Sequence, residues 1–393
     1  MVDFVSMSKR KIFRIAAVPV TLSGFLKGQL RFLNKYFDIY AVASPGSAHS
    51  DIHKGEGVGS FEINIERRIN MRKDLISLFK LYHLFRREKP DIIHSMTPKA
   101  GLLSMTAGFF ARVPIRIHTF TGLIFPSEYG FMCFLLKTMD CLTCLFATKI
   151  IPEGQGVKND LINNWITRKP LEVIGNGNVN GIDTKYFSKC EISEDKQLAL
   201  CSKLDVNKNH IVYIFVGRIV GDKGINELVA AFSRLYEFDD LARLLLVGPF
   251  EKELDPLLPL TEEKIINHPG IIWVGYQEDV RPFFAISDVF ILPSYREGFP
   301  NAVMQAGAMD LPCIVTNING SNEIIEDGHN GIIIPPKDVE ALYAAMKDLF
   351  VNKEKRKMLT LTARQNIIDR YERQFVWDEL LKEYESLLNE IKE

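Results

Sequence analysis

Short, unbroken apolar runs rich in Val and Ile recur along this chain, with amphipathic stretches between them. One series falls at residues 12–20, 39–43, 92–94, 115–118, 150–152 and 171–174. A second falls at 210–216, 242–247, 271–274, 289–293, 312–316 and 331–334. Runs that are continuous rather than alternating predict parallel strands buried on both faces. The segments between them carry helical periodicity, as at 74–89. Two such series predict an α/β chain of two doubly wound domains that face a central cleft. Ligands in such sheets sit beyond the carboxyl ends of the strands, so the cleft is the expected site.

The turn-rich stretch Gly175-Asn176-Gly177-Asn178-Val179-Asn180-Gly181 and the polar run after it mark the boundary. The expected division is 1–188 for a first domain, 189–372 for a second, and 373–393 for a tail helix. Phe375, Trp377, Leu380, Leu381, Tyr384 and Leu387 give that tail one apolar face to bury.

Composition adds little by itself, because 393 residues with 47% hydrophobic and 25% charged residues describe an ordinary globular chain. Charge distribution adds more. Residues 1–187 hold 25 Lys and Arg against 15 Asp and Glu, whereas the remainder holds 23 against 34. A basic front half suits an anionic surface such as a membrane leaflet, and nucleic acid is not an expected partner. Arg67, Arg68, Arg72, Lys73, Lys80, Arg86, Arg87 and Lys89 crowd one stretch, with Phe109, Phe110, Phe125, Phe131, Met132 and Phe134 following. That combination docks on anionic lipid or forms a solvated helix face beside a buried helix. The 131–151 stretch is broken by charges, and residues 1–11 hold no leader-like apolar run, so a cytoplasmic location is expected, peripheral on the inner face of the membrane. Cys141-x-x-Cys144 lacks a second ligand pair and reads as reduced core thiols.

Candidate chemistry concentrates in a few segments. Arg296-Glu297-Gly298-Phe299-Pro300-Asn301-Ala302 reads as a tight turn entering a short helix, with Pro300 in the first helical turn. The free N–H groups of such a helix favour an anion. Gln305 shares a face with Asn301. A carboxylate and an amide beside an anion site suit a nucleotide sugar, with Glu297 as catalytic candidate and Phe299, Asn301, Ala302 and Gln305 as substrate-binding candidates. Gly217-Arg218-Ile219-Val220-Gly221-Asp222-Lys223-Gly224 follows the first strand of the second domain, and Arg218 with Lys223 suits a diphosphate. Tyr276 ends a later strand and could meet the base. In the first domain, Gly24 could set a backbone N–H on a phosphate. His118 stands at an expected strand end. His94, Thr97 and Lys99 either touch an acceptor or belong to a loop capping the next helix. Glu323 opens a helix, with a structural role equally open. No Asp-x-Asp and no His/Cys cluster occurs, so neither a metal nor another cofactor is expected.

These segments resemble the retaining glycosyltransferases of family 4, which have the GT-B fold of two Rossmann-like domains. Ser-x-x-Glu-Gly-Phe-Pro is matched at Ser294–Pro300, and Gly-Arg-x5-Lys-Gly is similar at 217–224. The family's Glu-x7-Glu becomes Glu297-x7-Gln305. Gln can still hydrogen-bond a hydroxyl, but carries no charge. The resemblance implies Arg218 and Lys223 on the leaving diphosphate, Glu297 on the sugar, His118 orienting the sugar, and a tail helix on the first domain. It points to the bacterial branch that builds capsule, O-antigen and lipid-linked oligosaccharides. The implied reaction passes an N-acetylhexosamine-type sugar from a UDP-sugar donor to a polyprenyl-diphosphate-linked glycan acceptor. A UDP-sugar 2-epimerase and a non-catalytic sugar-nucleotide binder are the alternatives.

Overall fold

A computed structural model of the chain describes residues 9–66, 70–251 and 255–391. Arg67 and Arg68 of the basic stretch, the first eight residues and the last two lie outside the described residues. The chain divides into two compact units, Met1–Gly181 with Gln374–Glu393, and Ile182–Arg373.

The first unit holds six parallel strands, β1 (Lys11–Ile15), β2 (Asp38–Ala43), β3 (Gly59–Glu62), β4 (Ile92–Met96), β5 (Ile115–Phe120) and β6 (Lys149–Pro152), in the order β3-β2-β1-β4-β5-β6. The second holds β7 (Ile211–Val216), β8 (Ala242–Val247), β9 (Ile271–Gly275), β10 (Val289–Leu292), β11 (Cys313–Thr316) and β12 (Gly331–Ile334), in the order β12-β11-β10-β7-β8-β9. Each order reverses beside its first strand, the topology of a doubly wound sheet. The apolar runs are buried as their pattern predicts, with Ile12, Ile92 and Ile117 fully enclosed in one unit and Ile214, Phe290 and Ile314 in the other.

Three features differ from the pattern. The run at 171–174 forms no strand; only Leu171 bridges to Ile150, and Pro170 beside it has no N–H for a ladder. The edge strand β3, Gly-Ser-Phe-Glu, is too polar to read as an apolar run. The first strand ends at Ile15, and the Val18–Val20 part of its run enters helical turns.

The domain boundary falls seven residues before 188, because residues 182–188 are tied to the second unit. Ile182 N–H donates to Tyr371 O, Arg364 donates to the carbonyls of Thr184 and Phe187, and Arg281 lies 3.5 Å from the Tyr186 ring centroid. The tail helix Arg373–Glu390 packs on the first unit through Trp377, Leu380 and Tyr384. Capping fixes other helix ends. Asn70 accepts from Lys73 N–H at the start of the helix Met71–Glu88. Lys169 Nζ donates to Cys144 O, Leu145 O and Ala147 O, where the helix Gly130–Phe146 ends and its dipole is negative.

Candidate active site

In the first unit, the polar residues of β4 and β5 form two cross-strand pairs on opposite faces of the sheet. The register sets Ser95 opposite His118, and Ser95 Oγ lies 2.8 Å from His118 Nδ1. His94 Nε2 lies 2.7 Å from Thr119 Oγ1. His94 Nδ1 lies 2.6 Å from Tyr384 Oη and 3.2 Å from Arg14 Nη1. Arg14 only donates, so Nδ1 is the acceptor and the proton sits on Nε2, which donates to Thr119. Burial holds both imidazoles neutral, His118 down at about 3 and His94 well below its ordinary value.

This geometry corrects two expectations. His118 is not at the open end of its strand, because β5 runs on to Phe120. Its ring is 1% exposed and lies against the backbone of the helix Pro98–Ala111. A Cβ on Gly101 would come 2.3 Å from the His118 Cε1, so only glycine lets the ring sit there. His118 therefore packs helix on sheet. His94 is likewise buried, and it ties the tail helix to the sheet rather than meeting an acceptor. The residues that do follow the end of β5 are Thr121 and Gly122, which pattern reading passed over because the apolar run breaks at His118.

Lys99 is also buried, its Nζ 2.7 Å from Asp74 Oδ1. Thr97, half-buried, accepts from Ala17 N–H at 3.3 Å and takes a φ of 75°, unusual for a β-branched residue. Gly24 lies exposed inside the helical turn Thr21–Phe25, and a Cβ there would meet only Val20 Cγ2 at 3.9 Å. No close backbone approach within its unit requires that glycine.

The second unit gathers the charged candidates. β7 and β10 are neighbours, so the loops that leave their carboxyl ends adjoin. Tyr295 N–H donates to Asp222 O at 2.8 Å, and Arg296 Nη2 lies 3.2 Å from Asp222 Oδ2. Lys223 Nζ forms an ion pair with Glu297. Both side chains are mostly buried, so the pair is poorly screened. Arg218 Nη1 lies 2.7 Å from Glu251 Oε2, and this carboxylate raises the guanidinium's affinity for its proton against the cost of burial. Asp255 Oδ2 accepts from Asp222 N–H at 2.5 Å. The glycine-rich turn is thus surrounded by carboxylates, each on a donor that suits a phosphate. Glu251 and Asp255 escape sequence reading, since they belong to a polar loop of no recognisable pattern.

The helix after Glu297 is Asn301–Ala308, and Pro300 is its N-cap with extended backbone rather than a residue of the first turn. That helix starts beside the Glu297 loop, and Val303 N–H donates to Pro300 O at 3.1 Å in its first turn. Phe299 is buried edge-on against Tyr371, with 5.5 Å between ring centroids, so its ring belongs to the core. Asn301, Ala302 and Gln305 are half-buried in this helix, and Tyr276 follows β9 at 73% exposure. Among the described residues, no three His, Cys, Asp or Glu side chains gather at metal-binding distance.

Residues 32–183 match the Glycosyltransferase Family 4 model, and residues 199–366 match that of Glycosyl transferases group 1. The chain belongs to these glycosyltransferases, and its enzyme class is transfer rather than epimerisation. It is 32% identical over 386 residues, 98% of this chain and 99% of the relative, to the capsular polysaccharide biosynthesis glycosyltransferase CapM of Staphylococcus aureus. It is 28% identical over 346 residues, 86% of this chain and 87% of the relative, to the Escherichia coli UDP-Gal:alpha-D-GlcNAc-diphosphoundecaprenol alpha-1,3-galactosyltransferase. Its fold is that of Anabaena Alr3699/HepE, solved in complex with UDP, with a TM-score of 0.79 at 17% identity over 96% of this chain and 100% of that one. The architecture is accordingly GT-B-like.

Proposed function

We propose that this glycosyltransferase moves an N-acetylhexosamine-type sugar from UDP to a polyprenyl-diphosphate-linked glycan, with retention and without a metal. The observation that carries the reading is the convergence of Arg218, Lys223, Glu297 and the start of the helix Asn301–Ala308 on adjoining loops of one sheet. As the glycosidic bond stretches, negative charge gathers on the departing diphosphate. Arg218, Lys223 and the helix N–H groups stabilise that charge where it develops. Two cations and a helix start do without a divalent ion the work that a carboxylate-held one does elsewhere. Glu297, released from Lys223 by the diphosphate, is then free to hold sugar hydroxyls. Retention rests on the family resemblance. The acceptor class is supported by the E. coli relative's name, and the nucleotide by that relative and by HepE.

Contact with an anionic leaflet is part of the same proposal. The helix Met71–Glu88 exposes Met71, Leu75, Ile76 and Phe79 beside Arg72, Lys80, Arg86 and Arg87. A groove of about 530 Å³ between this helix and β3 joins Phe61, Ile76 and Phe79 to Lys80, His83 and Arg87. Apolar surface ringed by cations favours the inner membrane surface, where the acceptor is held. Among the described residues no helix is long and apolar enough to cross a membrane.

A thermal-shift panel of UDP, GDP, ADP, dTDP and CMP, each measured with a divalent cation and again with EDTA, tests the reading. A ligand of the native state raises the midpoint by mass action. UDP alone is expected to shift it. A preference for GDP overturns the donor, a shift lost with EDTA overturns metal independence, and no shift at all overturns the nucleotide reading.

A further inference from the structure

Gly320 lies in the turn between β11 and the short helix Ser321–Ile324. Its φ of 72° and ψ of −49° fit no ordinary turn for an L side chain. Ser321 N–H donates to Asn319 O at 2.9 Å, across a single residue. That bond and those angles define a γ-turn of the rare, strained hand. The strain is held from three directions. Gly320 N–H donates to Glu323 Oε1 at 3.2 Å, and Gly320 O accepts from Ile324 N–H at 3.0 Å. Glu323 O in turn accepts from Arg370 Nη2 at 2.8 Å and Tyr371 Oη at 3.0 Å.

The turn presses on the donor loop. A Cβ at Gly320 would stand 2.4 Å from Gly298 O, 2.7 Å from Phe299 Cα and 2.8 Å from Pro300 Cδ. Two of these are backbone atoms, so no rotamer change relieves the clash. The loop would have to move, and it holds Glu297 at one end and Asn301, the first residue of the helix, at the other. Strained backbone persists where surrounding structure over-determines it, and it gathers at functional sites.

We infer that Gly320 is a positioning residue for the diphosphate end of the donor site, setting the Glu297–Asn301 segment through direct backbone contact. Glu323 acts with it by fixing the turn, which gives this carboxylate a role without substrate contact. The inference rests on the nucleotide reading proposed above.

Gly328 supplies the matched control. Its φ is 75°, but a Cβ there meets nothing within 4 Å. Gly328→Ala therefore carries the backbone strain alone, and Gly320→Ala carries strain plus displacement of the loop. Calorimetric UDP affinity is read for both variants and for the unaltered protein, at a temperature where all are folded. Gly320→Ala is expected to weaken UDP at least tenfold, and Gly328→Ala to stay within threefold of the unaltered protein. Should Gly320→Ala not fold, Glu323→Ala adds no atoms and is expected to weaken UDP three- to tenfold with the fold intact. UDP binding by the unaltered protein, with Gly320→Ala matching Gly328→Ala, overturns this inference alone. So does an unchanged affinity in Glu323→Ala when that variant is the one measured. Absence of UDP binding by the unaltered protein overturns both this inference and the nucleotide reading.

Discussion

The strand ends of the two units use polar residues in opposite ways. In the first unit, His94, Ser95, His118 and Thr119 point into the core, pair across strands and stay neutral. In the second, Arg218, Lys223, Asp222 and Glu297 leave the strands on loops and form ion pairs, Lys223 with Glu297, Arg218 with Glu251 and Asp222 with Arg296. Both sheets have the same topology. The difference is whether the polar residue precedes or follows the last residue of its strand. Inside a doubly covered parallel sheet every side chain faces a helix layer, so a polar group must find a partner there or lose its charge. Beyond the strand end, a charge is held by an opposite charge on the adjoining loop, as at Lys223–Glu297, or by solvent at the rim, as at Arg218–Glu251.

Asp140 gives the largest test of the inward-facing side of that contrast. It is buried in the helix Gly130–Phe146, and desolvation raises its carboxyl to about 7. An unfolded Asp titrates near 3.9. Between those values the unfolded chain is ionised while the folded one is protonated, so stability falls as pH rises through that window. The slope is roughly 1.4 kcal/mol per pH unit, amounting to a few kcal/mol at most. Above about pH 7 both forms are ionised and the cost is constant. Asp140→Asn should therefore stabilise the protein at pH 8.5 by ~2–4 kcal/mol and match it near pH 4. Denaturant melts of both proteins across that range check this. A difference independent of pH would mean that Asp140 holds its charge in the fold.

The outward-facing side predicts opposite signs for the two halves of one ion pair. Lys223→Ala removes a charged donor to the diphosphate and should weaken UDP by about 10- to 100-fold, given ~1.5–3 kcal/mol for such bonds. Glu297→Gln removes the carboxylate that already occupies Lys223, so UDP should bind more tightly, by roughly two- to fivefold. Turnover of a sugar-bearing donor should fall in both. Titration with UDP settles the signs, and weaker binding in Glu297→Gln would place that carboxylate outside competition for Lys223.

How much of this was legible in the sequence follows the same contrast. Eleven of the twelve strands appear as apolar runs, because a strand covered on both faces must be apolar throughout. The glycine turn at 217–224 and the Glu297 segment stood out because glycine, proline and charge fall there in a fixed order, and the structure sets the two on adjoining loops. Orientation was not legible. His118 and His94 carry the same letters as ligand-contacting histidines, and only the strand register, Gly101 in the helix packed on His118, and the Tyr384 contact of His94 show them buried. The partners of the charged loop were hidden for another reason. Glu251 and Asp255 act through contacts more than about 30 residues back, at Arg218 and Asp222, and Gly320 through contacts roughly 20 residues back, at Gly298–Pro300. No local spacing encodes such contacts.

Glu251 sets the smallest effect and the finest test of the comparison. Its pair with Arg218 is part-exposed on both sides, so water and salt screen it, and such pairs contribute about 0.2–1 kcal/mol. A diphosphate brings more charge and two or more oxygens to the same guanidinium, so it displaces Glu251 readily. Glu251→Gln should then tighten UDP by only about two- to threefold in dilute buffer, within the range that pair energy allows. The gain should fade by 0.5 M salt, where screening acts within a few ångströms. The gain from Glu297→Gln should survive the same salt, because the Lys223–Glu297 pair is mostly buried. Titrations of both variants at the two ionic strengths separate the cases. If both gains vanished together with salt, the two carboxylates would be equivalent surface counter-ions, and burial would not distinguish the pair at the heart of the loop from the one at its rim.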